Sequence, residues 1–128
     1  VGCAATIFVK QLEPMAAFYK VCFGMDEVAG APGDYRVLES ESWTLSFVQV
    51  PEGVASTIDL SDPPVRREAT PIKLTFDVQD IGTARATITH FGGHVDDHAW
   101  EFRGFRHCDF TDPEGNVSQL REPVEPTE

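Results

Sequence analysis

The residues of this chain that could do chemistry are four histidines and a few carboxylates, amines and amides, and their spacing narrows the options. His90, His94 and His98 recur every four residues, a spacing that would align metal ligands on one helix face. Gly92-Gly93 interrupts any helix there, so that alignment is expected to fail. His107 has Asp109 two residues on, and residues i and i+2 share one face of a strand. The pair reads as an acid/base or as a hydrogen-bond donor to a ligand. The competing reading is a half-buried histidine satisfied by backbone. Cys3, Cys22 and Cys108 are odd in number and lack CxxC spacing, so neither a zinc ribbon nor a disulfide framework is expected. They read as small buried apolar residues in a reducing compartment.

The elements that must hold these groups follow from periodicity. Alternation predicts a strand over 4–10, then a helix over 13–23 with Leu12, Met15, Ala16, Tyr19, Cys22 and Phe23 on one stripe. Pro14 suits the first turn, where no N–H is needed, and Gly24 is a natural stop. Strands are expected over 25–30, 35–39 and 43–50. Residues 51–71 carry four prolines and few large apolar side chains, and read as a linker or lid. In 72–79, Ile72, Leu74, Phe76 and Val78 face one side and Lys73, Thr75, Asp77 and Gln79 the other. A second helix capped by Asp80 carries Ile81, Ala84, Ile88 and Phe91 on its stripe.

Strands over 94–100, 106–110 and 116–121 complete the chain. Asp112-Pro113-Glu114-Gly115-Asn116 makes the last tight turn, which taken alone reads as a surface hairpin. The tail 123–128 is expected to fray.

The same unit therefore occurs twice: strand, helix, glycine stop, three strands. Val9 falls on Val78, Leu12 on Ile81 and Gly24 on Gly93, an offset of about 69 residues. Residues 1–128 read as one domain, with module one over about 3–60 and module two over about 72–122. Each module supplies a sheet with a helix on one face, and the uncovered faces can enclose a concave space.

Strand parity gives a provisional lining of that space. Thr6 and Phe8 come from the first strand, and Lys73, Thr75 and Asp77 from the fifth. Gln119 and Arg121 come from the last strand, and Trp100, Phe102 and Phe105 close the rim. From the strand 43–50 either Trp43, Leu45 and Phe47 or Thr44, Ser46 and Val48 face inward. Aromatic walls with a few polar groups suit a flat or amphipathic organic molecule.

A formal net charge of −11 argues against nucleic acid or an anionic membrane as partner, since both need positive surface. It admits a cationic ligand, whereas Lys73 and Arg121 suit an anionic or carbonyl one. No apolar run approaches the roughly 20 residues of a membrane helix, and a cytoplasmic location is expected.

Over nearly its whole length the chain resembles the vicinal oxygen chelate superfamily, which includes glyoxalase I, bleomycin-resistance proteins, extradiol dioxygenases and fosfomycin-resistance enzymes. The resemblance rests on FVKQLEPMAAFYKVCFGM, on FDVQDIGTARATITHFGGHV, and most specifically on RGFRHCDFTDPEGNVSQL. It implies an α+β fold of two βαβββ modules forming a cupped mixed sheet with helices on the outer face, and a homodimer. In metal-dependent members, four strands each supply one His, Glu or Gln ligand. Those positions fall at Ala4, at Ser46 or Phe47, at Lys73 and at Gln119, and of these only Gln119 has ligand chemistry.

The expected function is accordingly metal-independent binding of a small organic ligand, resembling the bleomycin-resistance branch, with no cofactor. The expected contacts are Phe8, Trp43, Phe47, Lys73, Asp77, Trp100, Phe105, His107 and Gln119. The alternative is a glyoxalase- or dioxygenase-like lyase or oxidoreductase acting on a small carbonyl or aromatic substrate, with His107 as its catalytic residue.

Overall fold

The computed structural model describes residues 3–124. The chain divides into two compact units, residues 1–61 and 62–128, with the division inside the predicted linker.

In the first unit, β1 (Cys3–Val9) leads into α1 (Leu12–Phe23), followed by β2 (Asp26–Ala31), β3 (Tyr35–Glu39), β4 (Trp43–Gln49) and the short α2 (Glu52–Ala55). The sheet order is β1-β4-β3-β2, with β1 parallel to β4 and the other pairs antiparallel. α1 packs on β3 and β4. Its buried stripe is Leu12, Met15, Ala16, Phe18 and Tyr19; Phe18 joins the expected set, and Cys22 and Phe23 are only half-buried. Tyr19 meets Phe18 edge-on at 5.0 Å and Phe47 at 5.2 Å between ring centres. Such ring pairs add about 0.5–1.5 kcal/mol beyond the area they bury.

Leu45 and Phe47 are fully buried on this side of β4. That settles which alternate set faces the helix. The uncovered face therefore carries Ala4, Thr6 and Phe8 from β1, and Thr44, Ser46 and Val48 from β4. Tyr35, Val37 and Glu39 continue it on β3.

The second unit repeats the plan. β5 (Thr75–Asp77), α3 (Ile81–His90), β6 (His94–Phe102), β7 (Phe105–Thr111) and β8 (Val117–Pro123) form a sheet in the order β5-β8-β7-β6. The first pair is again parallel and the rest antiparallel. Phe76, Leu120, Cys108, Phe110 and Val95 are buried on the side of α3, with Ile81, Ala84 and Ile88 from the helix.

β5 is shorter than the alternation predicted. Ile72 is 73% exposed, and the β5 ladder starts only at Thr75–Gln119. The parity still holds, with Phe76 inward and Thr75 and Asp77 outward. The cysteines also depart from expectation, since Cys108 is buried but Cys22 is half-buried and Cys3 is exposed.

α1 and α3 are each capped from a distance. Gln49 on β4 accepts from the Leu12 N–H (3.1 Å) and donates to the Lys10 carbonyl (2.6 Å), in place of a cap from Gln11. α3 has the expected Asp80 cap on the Thr83 N–H (2.7 Å), and Glu122 on β8 accepts from the Ile81 N–H at 2.7 Å. Gly24 ends α1 in the left-handed conformation.

The turn at 112–116 is not a surface hairpin. Asp112 Oδ1 accepts from the Glu114 and Asn116 N–H groups and Oδ2 accepts from Asn116 Nδ2, and Asp112, Glu114 and Gly115 are all buried. The segment 65–67 covers it. The Arg67 N–H donates to the Gly115 carbonyl (2.8 Å), and a Cβ on Gly115 would stand 2.1 Å from the Val65 oxygen. That part of the expected lid is pinned to the sheet. No helix among the described residues is long and apolar enough to cross a membrane, and residues 125–128 of the predicted tail lie outside the described residues.

Candidate functional site

The open face of the second sheet collects most of the predicted site residues. Strand register places Thr75 beside Gln119 and Gln119 beside Asp109. It also places Asp77 beside Arg121, Arg121 beside His107, and His107 beside Trp100. Alternation alone puts these side chains on the side away from α3.

At the centre is His107, buried at the base of the face. Its Nδ1 lies 2.9 Å from Gln119 Oε1 and its Nε2 lies 3.4 Å from the Phe102 carbonyl oxygen. Gln119 Oε1 also accepts from the Thr75 hydroxyl at 3.4 Å. Protein oxygens thus stand beside both ring nitrogens. Asp109 does share its face but turns to Lys73, whose Nζ is 2.9 Å from each carboxylate oxygen.

A column of rings stands beside this network. His98 stacks on Trp100 at 5.8 Å and 22°, and Trp100 stacks on His107 at 5.7 Å and 12°. Phe105 and Phe102 approach His107 at 6.4 and 6.2 Å. The Arg121 guanidinium lies 4.3 Å from the Phe105 ring centre. Arg121 also grips Asp77 through two bonds, Nε–Oδ1 at 2.6 Å and Nη2–Oδ2 at 3.1 Å. The hydrogen bond to Asp77 drives the guanidinium above its ordinary value, so Arg121 is a permanent cation.

Two concavities flank the network. One of about 490 Å³ is lined by Asp77, Phe105, Arg121 and Pro123. The other, of about 250 Å³, is lined by Arg66, Ile72, Lys73 and Asp109.

Among the predicted residues, Lys73, Asp77, Trp100, Phe105, His107 and Gln119 thus share one face. Phe8 lies on the open face of the first sheet, 66% exposed. Phe47 and Trp43, expected among the ligand contacts, lie on the helix side of β4 and not on its open face. Phe47 is a core residue against Tyr19, and Trp43 shares its side of β4. The sequence reading missed His98 as a ring partner, having weighed it only as a metal ligand. The alternation of His98, Trp100 and Phe102 on one strand was the available signal.

The superfamily's metal positions can now be tested. Thr6 and Thr75 are equivalent under the repeat, and they pair with Ser46 and Gln119 respectively. The ambiguous position is therefore Ser46, and Phe47 is excluded. In the second unit the positions hold Lys73 and Gln119. The Lys73 ammonium has no lone pair to offer a cation and adds a repelling charge, and the Gln119 oxygen already serves His107 and Thr75. In the first unit Ala4 has no donor and Ser46 only a hydroxyl. These side chains do not fit a divalent cation, which needs three or more nitrogen, sulfur or carboxylate-type ligands. Among the described residues no three His, Cys, Asp or Glu side chains converge elsewhere.

Comparison with known proteins bears on the whole chain. Residues 4–120 match the family described as a glyoxalase-like domain. The chain belongs to that family. With its two βαβββ units it is a member of the vicinal oxygen chelate superfamily.

Among solved structures it is similar to a glyoxalase/bleomycin resistance protein/dioxygenase family enzyme from Burkholderia phytofirmans. That match has a TM-score of 0.70 and 20% identity, covering 94% of this chain and 97% of the other. It is also similar to the fosfomycin resistance protein FosX from Listeria monocytogenes, solved with Mn(II) and 1S,2S-dihydroxypropylphosphonic acid. There the TM-score is 0.70 at 15% identity, over 97% and 90% of the two chains. Lactoylglutathione lyase from Agrobacterium tumefaciens matches with a TM-score of 0.60 and 17% identity, over 95% and 92%. At such identities these glyoxalase-like neighbours speak for the fold. No curated protein matched the chain by sequence.

Proposed function

We propose that this glyoxalase-like protein binds a small organic molecule without a metal, in the manner of a bleomycin-resistance-type binder, and works as a cytoplasmic homodimer. The observation that carries the reading is the Lys73–Asp109 ion pair, standing where metal-dependent relatives place a ligand. What remains on the open face of the second unit is recognition chemistry: aromatic rings, an amide and hydroxyl network, and two concavities.

The test is metal content of the purified protein, followed by thermal shift with Ni, Zn, Mn, Fe and Mg, and then with a library of organic molecules. A ligand that binds only the folded state at one hundred times its Kd adds roughly 2.7 kcal/mol of stability. The reading expects no metal to co-purify, no metal to raise Tm, and at least one organic molecule to do so. One metal per chain, with a matching rise in Tm, would overturn it and bring forward a glyoxalase- or dioxygenase-like enzyme.

A further inference from the structure

The chain has 21 acidic and 10 basic residues, yet the open face around Gln119 is balanced. β7, β8 and the stretch running through β5 contribute two cations there, Lys73 and Arg121, and two carboxylates, Asp109 and Asp77. Each cation is matched to one carboxylate through both of its oxygens, Lys73 to Asp109 and Arg121 to Asp77. Two-point pairing leaves neither partner with a strong unmet charge to offer a ligand. The Asp77 carboxylate beside Arg121 offsets the attraction an anion would feel there, and Arg121 offsets the attraction of Asp77 for a cation. The groups between the pairs are amide, hydroxyl and ring edges, and Phe102 stands 60% exposed beside them.

We propose that Asp77 and Asp109 are selectivity residues: by pairing with Arg121 and Lys73 they offset the charge of both cations on this face and restrict it to uncharged, largely apolar ligands. The proposal rests on the reading that this face binds an organic molecule, and it goes further by naming the ligand class and the residues that enforce it. Selection works by exclusion, since the carboxylates reject anions by occupying the cations rather than by contacting the ligand that is accepted. The long-range field of an acidic protein would by itself favour cationic molecules, and the local pairing removes that preference at the point of contact.

Three probes of one shape separate these effects: naphthalen-2-ol, 2-naphthoate and 2-naphthylmethylammonium. Each is titrated calorimetrically at neutral pH into the wild type, Asp77→Asn and Asp109→Asn, with circular dichroism confirming that the variants fold. Naphthalen-2-ol is expected to bind the wild type most tightly, with little dependence on salt. Asp77→Asn frees the Arg121 guanidinium and should raise the affinity of 2-naphthoate relative to naphthalen-2-ol about tenfold or more, the worth of one charge-assisted hydrogen bond. Asp109→Asn should do the same more weakly through Lys73.

An ion that binds the wild type as tightly as naphthalen-2-ol overturns the proposal. So does a folded Asp77→Asn protein with no gain for 2-naphthoate relative to naphthalen-2-ol, or a wild type that binds none of the three. If the three probes fail while another organic molecule raises Tm in the library screen, selectivity by pairing is lost and the binding function stands. If only a metal raises Tm, the binding reading itself has failed.

Discussion

Replacing Phe47 with alanine tests the register on which the site assignment depends. Phe47 is 0% exposed and its ring centre is 5.2 Å from that of Tyr19, within a cluster that includes Phe18 and Leu45. Burying such a side chain contributes about 1.5–3 kcal/mol by transfer alone, and the lost ring pair about 0.5–1.5 kcal/mol more. A cavity term for the emptied site raises the total to about 3–5 kcal/mol. With a urea m-value of about 2 kcal/mol/M, the unfolding midpoint should fall by roughly 2 M. Ser46, one residue earlier, faces away from the helix beside Thr6. Ser46→Ala should therefore move the midpoint by less than about 0.5 kcal/mol equivalent.

The assay is urea unfolding followed by far-ultraviolet circular dichroism on the three proteins. A loss below about 1 kcal/mol for Phe47→Ala, with a larger loss for Ser46→Ala, would refute the assignment. β4 would then be shifted by one residue, which moves every side chain to the other face. Phe47 would return as a ligand contact, and the metal-position test would have to be repeated with a different side chain in the first unit.

Two further outcomes are expected. Thr111 Oγ1 is buried with no hydrogen-bond partner, so Thr111→Val, which keeps the shape and removes the orphaned hydroxyl, should raise stability by about 1 kcal/mol in the same assay. Bonds from the Thr83 side chain and backbone hold the Asp80 carboxyl below its ordinary value of 3.8. A carboxylate depressed in the folded state adds stability above its unfolded value and loses it as pH falls through the folded one. Acid unfolding below about pH 4 should therefore be less steep for Asp80→Asn, measured as Tm against pH.

Much of the fold was legible because its signals are local. The periodicities of 12–23 and 81–90, the stops at Gly24 and Gly92-Gly93, and the Asp80 cap lie within a few residues of the structure they specify. The 69-residue repeat then fixed the order of elements, and each half folds into the same strand order. Parity put Thr75 with Asp77, and Gln119 with Arg121, on shared strand faces, because alternation along a strand needs no knowledge of partners.

What eluded the sequence was pairing between distant residues. Trp43 and Phe47 could not be told from Thr44 and Ser46 by alternation, since both sets include large and small side chains. The decision came from Tyr19, on a different element. The buried turn at 112–116 looked like a surface hairpin because its cover, the stretch 65–67, lies far away in the chain.

The chain by itself determined its superfamily, its two-module plan and the absence of ligand chemistry at Ala4 and Lys73, since these are matters of residue type and local spacing. Only the tertiary structure decided that Lys73 is tied to Asp109, that Arg121 is tied to Asp77, that His107 is enclosed by Gln119 and Phe102, and that Gln49 and Glu122 cap helices they do not belong to. Those contacts join residues apart in sequence, and which charge or nitrogen is left free depends on distances that only the packed sheet sets.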